Sequence, residues 1–280
     1  MNQKKSDSKK VTKKVFIYIL LISFGLMFLM PFVFLISTSL KSDIEAFSPN
    51  FTIIPKEIKW DNYAKAFKEI PYLTYTKNTL IITMSCVAGE LISCPLVAYA
   101  LSKVNWIGKK PIFALLLATM LIPYQVTMIP LYMIWNKLGL LGTKWPLIIP
   151  SFFGGAYYII ILTQFFKTIP NSLLEAARID GASEFKIYRS IMLPLSKPAL
   201  ATIGIFTFLA NWSDFLGPLL YLSDQSQWTL SLGLQQFMSA HSVKWGLLMA
   251  ASAMFTIPTV IIFFFAQRYF IEGIVTTGLK

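Results

Sequence analysis

The chain has 280 residues, of which 55% are hydrophobic and 14% are charged. Soluble domains carry about 25% charged residues, so the composition excludes an ordinary soluble protein and favours an integral membrane protein. The 23 Phe and 7 Trp exclude intrinsic disorder, which requires low hydrophobicity. In a soluble domain the net charge of +12 would suggest nucleic acid binding. Here the basic residues lie between apolar segments, so we expect a lipid bilayer and no nucleic acid as partner.

Residues 1–14 form a polar tail with six lysines, and residues 15–40 follow it without a charge. A signal peptide has an apolar stretch of only about 7–15 residues, so this longer segment predicts a retained membrane helix. Five more apolar segments exceed the ~10 residues of a barrel strand. Because the backbone must satisfy its own hydrogen bonds in lipid, we predict an all-α membrane protein whose residues 15–280 form one domain of six transmembrane helices. The predicted spans are Val15–Leu40, Thr79–Leu101, Pro111–Trp135, Pro146–Phe166, Ala199–Leu222 and Gly246–Ala266.

The distribution of Lys and Arg predicts the orientation of the spans, because cytoplasmic loops carry an excess of basic residues. With the N-terminus inside, the inner segments hold 16 basic residues and the outer segments hold 9. We therefore expect both termini in the cytoplasm of a multi-pass protein of a bacterial-type inner membrane. One histidine, His241, and two cysteines within one span provide neither a catalytic set nor a metal site.

Two of the predicted spans contain an acidic residue, Glu90 in the second and Asp214 in the fifth. An ionisable group in the membrane is a functional candidate, because exposure to lipid costs ~3 kcal/mol. Asn211 and Asp214 are three residues apart, which places them on one face of a helix. They could line a path for sugar hydroxyls or hold neighbouring helices together. Glu90 could pair with a cation on another helix, face water, remain protonated or contact a substrate.

Prolines and glycines predict breaks in two spans. Pro123 and Pro130 interrupt the third span, and Pro150 with Gly154 and Gly155 interrupts the fourth. Broken helices often line transport sites, but they are also common packing devices in membranes. The breaks therefore favour a transport function only weakly.

The connection between spans four and five, residues 167–198, has the local chemistry of two short helices. Ser172 and Glu175 have the spacing of a capping box, so a helix should begin there. Gly181 occupies the position where this helix would stop with a positive φ. Ser183 can cap a second helix, which Pro194 would end.

Each of these two helices carries an apolar stripe. One stripe can pack against the ends of the spans, and the other then needs a partner, which makes the connection a candidate protein-docking site. The alternative is a self-contained hairpin that lies against the membrane, with Glu175 acting only as a cap. The stripes are Leu173, Leu174 and Ala177 in the first helix, and Phe185, Tyr188, Ile191 and Met192 in the second.

The same connection carries a recognisable motif. It consists of Glu175-Ala176-Ala177, then three residues, Gly181, nine residues and Ile191-x-Leu193-Pro194. This motif resembles the EAA loop of the membrane subunits of binding-protein-dependent importers of the ATP-binding-cassette (ABC) superfamily. The chain is similar in particular to carbohydrate-uptake permeases, the group of the smaller maltose-type membrane subunit. The resemblance extends over nearly the whole chain, apart from the lysine-rich tail of residues 1–14. It includes the segments Asn78-Thr79, Ala98-Tyr99-Ala100-Leu101, Pro130-Leu131-Tyr132, Asn211-Trp212-Ser213-Asp214, Pro218-Leu219, Gln267-Arg268-Tyr269-Phe270 and Glu272-Gly273.

The resemblance implies the type I ABC importer permease fold and a set of partners. These are a second homologous permease, two ATPase subunits that bind ATP and Mg, and an extracytoplasmic solute-binding protein, while this chain binds no cofactor and performs no covalent chemistry. The EAA loop would form a coupling helix on the ATPase, with Glu175 paired to a basic residue there and Gly181 permitting the turn. The coupling residues implied are Glu175, Ala176, Ala177, Asp180, Gly181, Ile191, Leu193 and Pro194.

Two other functions are compatible with the composition. An ion-coupled secondary transporter of a polar solute would use Glu90 and Asp214 as proton or cation sites. A membrane-embedded enzyme is the second, but the sequence shows no nucleophile elbow and no metal-ligand cluster. Asn211, Asp214 and Glu90 are the candidate residues of the substrate path.

Overall fold

A computed structural model describes residues 2–49, 52–238 and 243–278. Within these residues the chain is helical apart from its connecting segments and one isolated bridge between Met238 and Val243. His241 lies outside the described residues. The helices are α1 (Asn2–Ser39), α2 (Asp43–Ala46), α3 (Asp61–Glu69), α4 (Tyr72–Ser102), α5 (Lys109–Thr119), α6 (Tyr124–Lys137), α7 (Trp145–Ile148), α8 (Ala156–Thr168), α9 (Asn171–Ile179), α10 (Glu184–Ile187), α11 (Leu193–Leu195), α12 (Lys197–Trp212), α13 (Leu216–Tyr221), α14 (Leu230–Gly233) and α15 (Trp245–Gly278).

Short irregular helices complete the chain. A 3₁₀ helix follows α7, two more flank α14, and a turn of π-helix joins α10 to α11. Their bounds are Ile149–Phe153, Gln225–Gln227 and Leu234–Phe237 for the 3₁₀ helices and Tyr188–Met192 for the π-helix.

The chain divides into two compact units, and the first comprises residues 1–70 and 236–254. Asn62 of α3 is buried, and its amide donates hydrogen bonds to the carbonyls of Ser39 and Lys41 at 2.9 and 2.8 Å. The backbone N–H of Gly246 donates to the Asp43 carboxylate at 3.0 Å. These contacts satisfy the backbone groups exposed at the end of α1 and give the segment after the first span a defined fold.

The second unit comprises residues 71–235 and 255–280, and α4 is its central element. Its C-terminal half packs against α8, α12 and the helices of the EAA loop to form an apolar core. That core contains Cys94, Ala98, Tyr99, Leu101, Ile159, Leu162, Phe166, Ile169, Leu174, Ile187, Tyr188, Met192, Ala199 and Ile203.

The described residues contain four helical segments that are long and apolar enough to cross a membrane, and six if each of two bent helix pairs counts as one span. Six agrees with the predicted number, but the second pair takes in residues 184–195, which were predicted to lie in the connection between spans four and five. The four are Lys13–Ser39, Tyr72–Ser102, Trp145–Thr168 and Trp245–Gln267, and the pairs are Lys109–Thr119 with Tyr124–Lys137, bent by 99°, and Glu184–Leu195 with Lys197–Trp212, bent by 76°.

The fifth predicted span is wrong as a single helix. We expected a helix over 199–222, but α12 ends at Trp212 and α13 begins only at Leu216. Pro218 lacks the N–H that a continuous helix would pair with the carbonyl of Asp214. The Ser213 hydroxyl donates to the Leu209 carbonyl at 2.7 Å, which satisfies one carbonyl in the last turn of α12.

The predicted breaks in spans three and four are partly confirmed. Pro123 separates α5 from α6, whereas the break expected at Pro130 is wrong because α6 continues through it. Membrane helices tolerate an internal proline when its freed carbonyl finds another partner. In span four the 3₁₀ helix ends at Phe153, Gly154 follows it with a φ of 82°, and α8 starts after Gly155. Pro150 lies inside that 3₁₀ helix.

Candidate coupling loop and intramembrane acids

The first helix of the EAA loop, α9, starts two residues earlier than the capping box predicts. Pro170 is the N-cap residue and no side chain caps the helix, so Ser172 lies inside it. The predicted capping role of Ser172 and Glu175 is therefore wrong. The fixed φ of Pro170 favours a chain reversal at this point without a polar cap. Glu175 is exposed, and none of the ion pairs within the described residues includes it.

The turn after α9 confirms the role predicted for Gly181. Its φ is 78°, in the left-handed region that favours glycine. The N–H of Ala182 donates to the Ala177 carbonyl at 2.9 Å, and the N–H of Gly181 donates to the Arg178 carbonyl at 3.0 Å. This pair of bonds is the Schellman motif that ends many helices.

The second helix of the EAA loop starts as predicted and ends later. The Ser183 hydroxyl accepts a hydrogen bond from the backbone N–H of Lys186 at 3.3 Å, which confirms the cap. The predicted end at Pro194 is wrong by one residue, because a turn of π-helix leads into α11, which ends at Leu195. Pro194 has no N–H for the carbonyl of Ser190. The turn of π-helix, Tyr188–Met192, includes Ser190, whose carbonyl lacks this partner.

The two loop helices bury one side and expose the other. Leu174, Ile187 and Met192 are buried in the core of the second unit. On the outer side Ile179 is 87% exposed and Phe185 is 66% exposed. A folded, polar-rimmed surface with apolar residues this exposed is typical of a protein contact site.

The predicted coupling residues occupy both sides of the EAA loop. Five of them are exposed: Glu175, Ala176, Asp180, Gly181 and Pro194. The other three, Ala177, Ile191 and Leu193, are partly buried and pack against the core. The first group can contact a partner directly, and the second group supports the loop from below.

A polar connection that the sequence analysis missed joins α4 to the EAA loop. The carboxylate of Glu184 accepts a hydrogen bond from Arg178 Nε at 2.7 Å and another from the Tyr99 hydroxyl at 2.5 Å. Arg178, and then Tyr99, hold the pKa of Glu184 below its usual range, and Glu184 raises the pKa of Arg178. Tyr99 lies in one of the segments that carry the family resemblance, which was the only signal of its importance.

Lys103 makes a second connection at the start of the EAA loop. Its ammonium donates to the carbonyl of Ile169 and to the side chain of Asn171, at 2.5 and 2.7 Å. Partial burial, which disfavours the charged ammonium, and then the nearby charge of Lys109 lower the pKa of Lys103. The end of span two therefore contacts the loop at two separate points.

Glu90 lies at the break in span four. Its side chain is buried, and Oε2 accepts hydrogen bonds of 2.8 Å from the backbone N–H of Gly155 and from the Cys94 thiol. Gly155 is the N-cap residue of α8. None of the alternatives named for Glu90 included the partner found here, a helix N-terminus, where acidic groups are stabilised by the helix dipole.

Asn211 and Asp214 do not share a helical face, because α12 ends between them. Asn211 donates to the Thr207 carbonyl within its own helix at 2.8 Å. Asp214 accepts a hydrogen bond of 3.1 Å from the backbone N–H of Gly217 at the start of α13. Its backbone carbonyl accepts another from the Ser231 hydroxyl. The Asp214 carboxylate thus stabilises the start of α13 at the break in the fifth span, whereas the bond of Asn211 lies within α12. Among the residues that the structure describes, no group of His, Cys, Asp or Glu has the arrangement of a metal site.

Comparison with known proteins identifies the family. The model for binding-protein-dependent transport system inner membrane components matches residues 94–275. The chain belongs to this family. As a permease of this family it is the membrane component of an ABC importer, separate from the ATPase, and a multi-pass membrane protein.

Relatives of this permease are similar over nearly their whole length. The arabinooligosaccharides transport system permease protein AraQ of Halalkalibacterium halodurans is 32% identical, covering 97% of this chain and 99% of the relative. The polygalacturonan/rhamnogalacturonan transport system permease protein YtcP of Bacillus subtilis is 33% identical, with 94% and 96% covered. A solved chain of a bacterial ABC transporter involved in the import of the acidic polysaccharide alginate is 27% identical with a TM-score of 0.80, covering 90% of this permease and 94% of that chain. The permease has the type I ABC importer fold.

Proposed function

We propose that this permease imports a sugar or an oligosaccharide that an extracytoplasmic binding protein delivers. Two similar permeases are named for the transport of arabinooligosaccharides and of polygalacturonan/rhamnogalacturonan, and the similar solved chain belongs to an importer of the polysaccharide alginate. The observation that carries the proposal is the combination of this similarity with an EAA loop whose outer surface is folded but uncovered.

The EAA loop, residues 167–198, is the coupling element in this proposal. The exposed side chains of Ile179 and Phe185 enter an apolar groove of the ATPase, and Glu175 pairs with a basic residue there. Asp180, Gly181 and Pro194 complete the contact surface. The partly buried Ala177, Ile191 and Leu193 transmit the displacement to the core.

The complete importer would contain this chain, a second homologous permease, two ATPase subunits that bind ATP and Mg, and the solute-binding protein. Both termini of this chain would lie in the cytoplasm, with residues 1–14 as a basic tail before the domain of residues 15–280. The excess of Lys and Arg in the inner segments supports this orientation.

The ion-coupled alternative has less support. Its predicted ion sites were Glu90 and Asp214, and both carboxyl groups accept hydrogen bonds from the backbone N–H at the start of a helix. Membership of the binding-protein-dependent family points to ATP as the source of energy. A substrate-path role for Asn211, Asp214 or Glu90 would have to be compatible with these contacts.

Reconstitution tests the proposal. The permease is purified with its companion subunits, placed in liposomes with ATP inside, and supplied with the binding protein and labelled arabinan- or rhamnogalacturonan-derived oligosaccharides. We expect accumulation of at least one oligosaccharide that requires internal ATP and resists a protonophore. Uptake that persists without ATP and collapses with a protonophore would instead establish the ion-coupled alternative. ATP-dependent uptake of a non-carbohydrate solute only would overturn the sugar assignment.

A further inference from the structure

The end of span two is attached to both helices of the EAA loop. The Tyr99 hydroxyl and Arg178 donate to the two oxygens of the Glu184 carboxylate, at 2.5 and 2.7 Å. Tyr99 belongs to α4, Arg178 to α9 and Glu184 to α10. One carboxylate therefore joins three helices. Two of its partners, Tyr99 and Arg178, are 79 residues apart in the sequence.

The ion pair of this connection is weak by itself. The Arg178 and Glu184 side chains are 40% and 49% exposed, and exposed ion pairs contribute about 0–1 kcal/mol because water and salt screen them. The contact with Tyr99 differs, because Tyr99 is 6% exposed and is held in the middle of the core. A hydrogen bond from a neutral donor to a carboxylate is stronger than one between neutral groups.

Packing holds the same three helices together beneath the carboxylate. The rings of Tyr99 and Tyr188 lie 5.5 Å apart, and Leu174 and Ile187 are buried beside them. Lys103 adds the contact with Asn171 at the start of α9. The EAA loop thus has polar and apolar attachments to span two in addition to its covalent links to spans four and five.

We propose that Glu184 is a positioning residue that locks the EAA loop to span two through Tyr99. When the ATPase displaces the loop, span two moves with it, and the contact between Glu90 and Gly155 carries the movement to the break in span four. This inference rests on the proposed function, since it assigns the route by which ATP-driven displacement of the loop reaches the spans.

The Tyr99→Phe variant removes only the hydroxyl that reaches Glu184. The reconstituted importer is assayed for assembly, for ATP hydrolysis and for the number of solute molecules imported per ATP. We expect normal assembly and continued ATP hydrolysis, with about a tenfold fall in solute imported per ATP, the factor by which loss of one hydrogen bond to a charged group changes an equilibrium. A merely structural role would lower the yield of the complex and leave the ratio unchanged.

Tyr188→Phe is the matched control. Tyr188 packs against Tyr99 in the same core with their rings tilted by 52°, and no hydrogen bond of the Tyr188 hydroxyl occurs within the described residues. We expect its ratio to equal that of the wild type. An unchanged ratio in Tyr99→Phe would overturn the proposal, and an equal fall in both variants would do the same.

A second pair of variants decides the question if Tyr99→Phe does not assemble. Glu184→Gln keeps an oxygen that can accept from Tyr99, whereas Glu184→Leu keeps none. We expect solute imported per ATP to be higher in Glu184→Gln than in Glu184→Leu, and equal ratios would overturn the proposal. Failure of the proposed function is recognised separately, because the wild-type complex would then import no oligosaccharide with ATP.

Discussion

The carboxyl group of Glu90 accepts a hydrogen bond of 2.8 Å from the backbone N–H of Gly155, at the point where span four is broken. Helix α4 packs closely against the residues at this break. A Cβ on Gly89 would lie 2.9 Å from the ring of Phe152, and Ser93 donates to the Ser151 carbonyl at 3.1 Å. Span two therefore fixes the geometry of the break with an acid and two small residues.

Loss of the Glu90 cap should loosen this break. In Glu90→Leu the N–H of Gly155 loses its acceptor, and an unsatisfied buried donor costs about 1–3 kcal/mol. Cys94 reports the change, because its thiol is buried and bonded to Glu90. In a Cys86→Ser background, we expect faster labelling of Cys94 by N-ethylmaleimide in Glu90→Leu than in the parent. Glu90→Gln retains an acceptor oxygen and serves as the control, and equal labelling in Leu and Gln variants would contradict the capping role.

A second prediction concerns the turn of the EAA loop. Gly181→Ala forces a side chain into the left-handed region at a φ of 78°, which costs roughly 1–2 kcal/mol. We expect weaker retention of the ATPase on purification and faster trypsin cleavage near Lys186. Gly139→Ala is the control, because Gly139 has a φ of 67° with open space around it in a different turn. If both variants lost the ATPase to the same extent, general strain and not the EAA turn would be responsible.

ATP-driven import and the ion-coupled alternative predict different effects on uptake when the two intramembrane acids are neutralised. Glu90→Gln and Asp214→Asn preserve hydrogen-bond acceptors at both helix starts while removing the ability to release a proton. We expect the double variant to retain most of the ATP-driven uptake of the wild type, since the side-chain oxygens of Gln and Asn can still accept from the backbone N–H groups of Gly155 and Gly217. Complete loss of uptake, with normal assembly and ATP hydrolysis, would show that the charges themselves are required.

The stability of the EAA loop should depend on pH in one direction. Because Arg178 and Tyr99 lower the pKa of Glu184, the folded loop gains stability above the ordinary Glu pKa of about 4.3 and loses it as the pH falls through the lowered value. Glu175 also faces Arg178 and favours its charged form. We expect the wild type to unfold at a higher temperature than Glu184→Gln at pH 7, with the difference shrinking below about pH 4. A constant difference across this range would contradict the assigned contacts.

The membrane spans and the local helix ends of this chain could be predicted from the sequence, whereas features that depend on tertiary contacts could not. The number of spans followed from apolar length, and the stop at Gly181 and the cap at Ser183 followed from local backbone chemistry. The end of α12 at Trp212 was missed because hydropathy continues through the break, where Pro218 interrupts the hydrogen bonds of the backbone.

Contacts between distant residues account for the other misses. Glu90 looked like an ion site because its partner, the N–H of Gly155, is a backbone group 65 residues away that no side-chain pattern reveals. Tyr99 carried no predicted role, since nothing in its own segment points to Glu184. The capping box at Ser172 matched a sequence pattern, but Pro170 already sets the start of α9.

Charge reversal at Glu175 tests the central claim most directly, that the EAA loop couples this permease to an ATPase. In Glu175→Lys we expect normal membrane insertion, because the side chain is exposed and makes none of the ion pairs within the described residues. Glu57→Lys, at a side chain that is 76% exposed in the other unit, is the control for added charge. The measurement is ATP-driven solute uptake together with ATP hydrolysis by the reconstituted complex. We predict that Glu175→Lys abolishes uptake and breaks its link to ATP hydrolysis while Glu57→Lys does neither, and unchanged uptake in Glu175→Lys would contradict the account.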